Sequence, residues 1–108
     1  MKLYVGGIPL IKLPRRGRIT LGRLDEHSSD NPDVDLTPCG AFEQGVSRLH
    51  AAIAWEHDDL TLTDLNSTNG TFLNGYRLLP FHARVLQPYD EICLGHMVIF
   101  VGHEVTRA

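Results

Sequence analysis

The 108 residues carry 43% hydrophobic and 21% charged side chains at a net charge of −3, a composition that fits a single folded domain over 1–108 and excludes a disordered or low-complexity chain. No apolar run approaches the roughly 20 residues of a membrane span, and Gly6, Gly7 and Pro9 interrupt the N-terminal apolar stretch before a signal-peptide core can form, so no membrane association and a cytoplasmic location are expected. So small a net charge argues against a general nucleic-acid binder.

From the N-terminus, Leu3–Val5 and Pro9–Lys12 read as short strands, and Ile19 and Leu21 alternate as one face of a third. Residues 1–23 hold Lys2, Lys12, Arg15, Arg16, Arg18 and Arg23 without an acid, whereas residues 24–46 hold Asp25, Glu26, Asp30, Asp33, Asp35 and Glu43 without a Lys or Arg. Both segments read as solvated surface, or as a basic pocket edge beside an acidic loop. Within the acidic segment Asp35–Leu36 is a further strand candidate; at this length the segment is expected to be functional or mobile. SRLHAAIAWEH (47–57) would allow a helix capped by Ser47, but the alternation of Ala51, Ile53 and Trp55 favours a strand. Leu60 and Leu62 then face inward with Thr61 and Thr63 opposite, and Thr71–Leu73, Arg77–Leu79, Val85–Leu86, Ile92–Leu94 and Met97–Val101 complete the set. Gly6-Gly7, Asp58-Asp59, Asn69-Gly70, Asn74-Gly75 and Gly95-His96 supply residue types that tolerate the positive φ of tight hairpin turns. Many short strands with turns every eight to twelve residues predict an all-β sandwich or barrel.

Cys39 and Cys93 lack Cys-x-x-Cys spacing and are expected as free thiols. The six histidines are scattered without close ligand spacing, so neither a metal nor a cofactor is expected.

Gly22-Arg23, then Ser47-Arg48-Leu49-His50, then DLNSTNGTFLNG over 64–75 together resemble the signature of forkhead-associated (FHA) domains, and RVLQPYDEICLG resembles the family's closing strands. The resemblance implies a β-sandwich of about eleven mostly antiparallel strands in two sheets, with loops at one end that bind phosphothreonine in an extended partner segment. It also implies a role in signalling downstream of a serine/threonine kinase, recruiting a threonine-phosphorylated protein or peptide without converting it.

Phosphothreonine brings a charge of about −1.5 to −2 and three acceptor oxygens, so the site needs donors. Arg23 stands at the end of a strand, where its planar fork can pair two phosphate oxygens. Ser47 and Thr68 offer compact hydroxyls from two loops, each of which also presents backbone N–H groups suited to an anion nest. Arg48 is a second candidate phosphate cation, with a solvated arginine as the alternative. The Asn69 amide both donates and accepts, which suits the backbone of a bound strand. His50 resembles the family's bracing histidine; Gly22, Gly70, Asn74 and Gly75 are expected to support the loops.

The stretch from Arg23 to Ser47 is longer than family members commonly show, and its six acids are expected to face solvent or to select basic residues flanking the phosphothreonine. Two rival readings exist. One is a hydrolase built on Ser47, His50 and Asp64, which lacks a G-x-S-x-G elbow. The other is a module of the same fold that docks its partner on a sandwich face without phosphate.

Overall fold

A computed structural model describes residues 2–6, 8–12 and 17–103. Among the described residues eleven strands form in chain order: β1 (Lys2–Val5), β2 (Ile8–Lys12), β3 (Arg18–Gly22), β4 (Val34–Asp35), β5 (Ala51–Glu56), β6 (Asp59–Asp64), β7 (Thr71–Leu73), β8 (Tyr76–Arg77), β9 (Arg84–Val85), β10 (Glu91–Leu94) and β11 (Met97–Val101). One sheet runs β2-β1-β11-β10-β7-β8 and the other β4-β3-β5-β6-β9. All pairings are antiparallel except that of β3 with β4. A single 3-10 turn covers Thr37–Cys39 among the described residues.

Period-two patterning drives the layers together. On β11, Met97, Ile99 and Val101 are buried while Val98 and Phe100 point out, and on β10 Ile92 and Leu94 face the same interior. Leu3, Leu21, Leu36, Ile53, Leu60, Leu62 and Leu86 close the space from the other strands and the residues just after them, each 2% exposed or less. Each such side chain contributes about 1.5–3 kcal/mol of transfer free energy, so the core rather than the loops carries the fold. Thr61 departs from simple alternation. It is buried with its neighbours Leu60 and Leu62, and its hydroxyl donates to the Ala54 carbonyl at 3.2 Å.

Two turns differ from expectation. The β5–β6 hairpin turns at His57-Asp58, with φ of 56° and 107°, because Glu56 pairs with Asp59 and leaves those two residues as the loop. Asn69-Gly70 is not a hairpin at all. Since β6 belongs to one sheet and β7 to the other, residues 65–70 cross between layers. That crossing, the end of β3 and the chain leading into β5 meet at one end of the sandwich. Leu65 N–H donates to the His50 carbonyl (3.0 Å), and His50 N–H to that of Leu21 (2.9 Å).

Candidate functional site

Gly22 ends β3 in a space with no room for a side chain. A Cβ there would lie 1.8 Å from the Arg48 carbonyl oxygen, which itself accepts the Arg23 N–H at 3.2 Å. The missing Cβ thus lets the chain before β5 lie against the end of β3, so that Arg23 leaves a fixed backbone beside residues 46–48. Its half-buried side chain donates from Nε to the Val46 carbonyl (2.8 Å), and its guanidinium carbon stands 5.1 Å from the centre of the Phe42 ring.

Ser47 faces the crossing loop. Its Oγ accepts the Thr68 N–H at 3.1 Å, which leaves the serine proton for another acceptor, and Thr68, exposed, carries a second hydroxyl on the same residue as that N–H. The Ser47 N–H donates to His50 Nδ1 at 2.9 Å. The Ser47 and Thr68 N–H groups are therefore both engaged within the protein. Asn69 Nδ2 donates to the Gly45 carbonyl at 3.0 Å, and the geometry leaves Oδ1 and the second amide hydrogen to pair with a strand. Arg23, Ser47, Thr68 and Asn69 are thus all tied to the one short segment 45–48.

Arg48 goes elsewhere. Its Nε lies 3.9 Å from Asp30 Oδ2 in a pair that is nearly half exposed, worth about 0–1 kcal/mol. The acids of segment 24–46 stay at the surface, yet several fold the segment itself rather than choosing between solvent and a partner. Asp33 accepts the Thr20 N–H (2.8 Å), and Asp35 accepts the N–H groups of Leu24 and Thr37 and the Thr37 hydroxyl. The Thr37 hydroxyl, ahead of the Leu24 and Thr37 N–H groups, holds the Asp35 carboxyl below its usual range.

His50 is fully buried, and its ring spans two loops. Because Nδ1 accepts from Ser47, Nε2 must carry the proton and donate to the Gly70 carbonyl at 2.8 Å. Gly70, at φ 90°, also accepts the Gly95 N–H on the same oxygen, and a side chain there would be strained. With both ring nitrogens on backbone groups, His50 cannot serve Ser47 Oγ as a base. The Asp64 carboxylate is likewise occupied, accepting Ser67 Oγ (2.6 Å) and Thr71 Oγ1 (2.7 Å). The hydrolase arrangement is therefore not built.

Burial lowers the His50 pKa below its ordinary 6.5, against the opposing pull of the Gly70 carbonyl and Asp64. An unfolded chain then takes up this proton before the folded one does. His50 thus contributes stability that is present above about pH 6.5 and lost as pH falls below it. The thermal midpoint of the protein is expected to fall as pH drops below about 6.5 more steeply than that of His50→Gln, whose amide does not titrate. Parallel curves in calorimetric melts would count against this assignment.

Asn74 and Gly75 do support loops, but not those of the arginine and hydroxyls. They form the β7–β8 hairpin, and the Asn74 side chain donates to Asp90 Oδ1 and accepts the Glu91 N–H, both at 2.9 Å, at the far end of β7 from Thr71. Sequence reasoning missed the Gly45 and Val46 carbonyls, Phe42, and the knot of Asp64, Ser67 and Thr71. Only the knot left a signal: an aspartate followed three and seven residues on by hydroxyls is a pattern for side-chain closure of a turn.

The family model for the FHA domain matches residues 19–95. The chain is 44% identical over 87 residues to the FHA domain-containing protein FhaA of Mycobacterium tuberculosis, a match covering 81% of this chain and 14% of that protein. The chain spans 22% or less of the curated relatives it matches. Among solved structures it is similar to the FhaA FHA domain complexed with the intracellular domain of Rv3910, at TM-score 0.67 and 30% identity over 92% of this chain and 96% of that one. It is also similar to the N-terminal FHA domain of Saccharomyces cerevisiae Rad53p in complex with a phosphothreonine peptide, at TM-score 0.68 and 26% identity over 94% and 92%.

Proposed function

The chain belongs to the FHA domain family, and from that premise we propose that residues 1–108 form one phosphothreonine-binding module that recruits a threonine-phosphorylated partner through the loops at one end of the sandwich. The module joins that partner to its own protein in response to a serine/threonine kinase, without cofactor or catalysis, in the cytoplasm and apart from membrane and nucleic acid. One observation carries the reading: the Arg23 guanidinium, the Thr68 backbone N–H and the Asn69 carboxamide are all fastened to residues 45–48, the segment that also carries the Ser47 hydroxyl. Arg23 pairs the phosphate through its terminal nitrogens, Ser47 and Thr68 donate hydroxyl hydrogens, and Asn69 holds the partner backbone. Arg48 adds long-range attraction while its neighbour Asp30 tempers it. The Rad53p domain in complex with a phosphothreonine peptide supports the same mode of binding.

Screening an oriented phosphothreonine peptide library, with phosphoserine and unphosphorylated versions, tests the proposal. A micromolar dissociation constant, about 8 kcal/mol, is expected for phosphothreonine. Phosphoserine should bind roughly ten- to two-hundred-fold more weakly, the worth of one buried methyl group. Equal affinity for the unphosphorylated peptides would overturn it.

A further inference from the structure

Phe42 is a large aromatic side chain left 69% exposed, on a turn whose neighbours Ala41 and Val46 are buried at 0% and 2%. The backbone on either side of it is fixed. Val46 N–H donates to the Ala41 carbonyl (2.9 Å), Gln44 N–H to that of Gly40 (3.1 Å), and His96 N–H to that of Gln44 (2.8 Å). The Gln44 side chain adds a bond from Nε2 to the Cys39 carbonyl at 3.1 Å. A ring held this firmly outside the core gains little from packing. The Arg23 guanidinium carbon stands over it, 5.1 Å from the ring centre.

The same turn presents two carbonyls to two other groups of the site, Val46 to Arg23 Nε and Gly45 to Asn69 Nδ2. A Cβ on Gly45 would come within 2.7 Å of that Asn69 nitrogen, so the turn and the asparagine fit one another closely. A long arginine side chain normally explores many rotamers. Nε is taken by Val46 and the guanidinium carbon stands over Phe42, so the terminal nitrogens are the part of the fork that remains for a ligand.

We infer that Phe42 is a positioning residue for phosphate recognition, holding the Arg23 fork in the orientation that meets the ligand. The inference rests on the phosphothreonine reading above and deepens it by giving the late part of the acidic segment a role in the site. The aromatic face, not apolar bulk, is what the role requires, because the attraction is between the ring quadrupole and the cation.

Calorimetric titration of one phosphothreonine peptide into the wild-type chain, Phe42→Ala, Phe42→Leu and Phe42→Tyr tests it, alongside the Arg23 Nε–Hε order parameter of each unliganded protein by NMR. Ala and Leu are expected to weaken binding about two- to fivefold and to lower the Arg23 order parameter, whereas Tyr restores both. Thermal midpoints should be nearly unchanged, since the ring is exposed. Wild-type affinity in the Leu variant, or an unaltered order parameter in Ala, would overturn the role of Phe42 while leaving the phosphothreonine reading standing. A wild-type chain that binds no phosphothreonine peptide would bring down that reading, and the role of Phe42 with it.

Discussion

Arg23→Ala is expected to abolish measurable binding of a phosphothreonine peptide while the sandwich stays folded. Each charge-assisted hydrogen bond contributes about 1.5–3 kcal/mol net, and the planar fork can make two of them to one phosphate. Losing both removes at least ~3 kcal/mol from an affinity of about 8 kcal/mol, which carries a micromolar complex to the edge of the millimolar range. The cost to folding is smaller. Arg23 gives the fold one bond to the Val46 carbonyl and one ring contact at a half-buried position, together on the order of 1–2 kcal/mol. Calorimetry with the phosphopeptide and a thermal melt of the same sample separate the two effects. Retained affinity in a folded Arg23→Ala protein would remove the guanidinium from the site. Arg23→Lys should recover only part of the loss, because an ammonium keeps the charge but cannot both cap Val46 through Nε and offer a fork.

Why Arg23 and its partners could be found in the sequence, while their supports could not, follows from what each kind of contact requires. A strand with one buried face must alternate, so β5, β10 and β11 were legible from Ala51, Ile92 and Met97 onward. Ser47, Thr68 and Asn69 stand out as candidates because a phosphate would need donors of a few residue types at spacings that resemble a known motif, and the structure ties them to one segment. Gly45 and Val46 act through backbone carbonyls, which every residue possesses, so no side-chain pattern marks them. The crossing at 65–70 was hidden for a related reason. Asn69-Gly70 suits a tight turn locally, and only the pairing of Thr71 with Leu94 in the opposite sheet makes it a bridge between layers. Phe42 carries no local signal, because its ring gains a partner only from a guanidinium 19 positions earlier in the chain.

One buried carboxylate ties both ends of the bridge between layers, and Asp64→Ala is expected to be the most destabilising single change at the site. Asp64 is 2% exposed at the end of β6 and accepts the Ser67 and Thr71 hydroxyls at 2.6 and 2.7 Å, with the Ser67 N–H at 3.3 Å. Ser67 and Thr71 are themselves buried at 9% and 0%. Removing the carboxylate strands these donors away from water, at about 1–3 kcal/mol for each unsatisfied group, and leaves a void where the side chain stood. A total of roughly 3 kcal/mol or more corresponds to a fall in thermal midpoint of more than about 10 °C for a domain of this size. Thr68 and Asn69 lie between the two hydroxyls that Asp64 ties down, so phosphopeptide affinity should fall as well, even at temperatures where the variant is folded. Asp64→Asn keeps one acceptor oxygen for the hydroxyls and should lie between the two in both measurements. A variant lacking the carboxylate that melts within a degree or two of wild type would mean that the crossing loop is positioned by Ser47 and His50 without the knot beneath it.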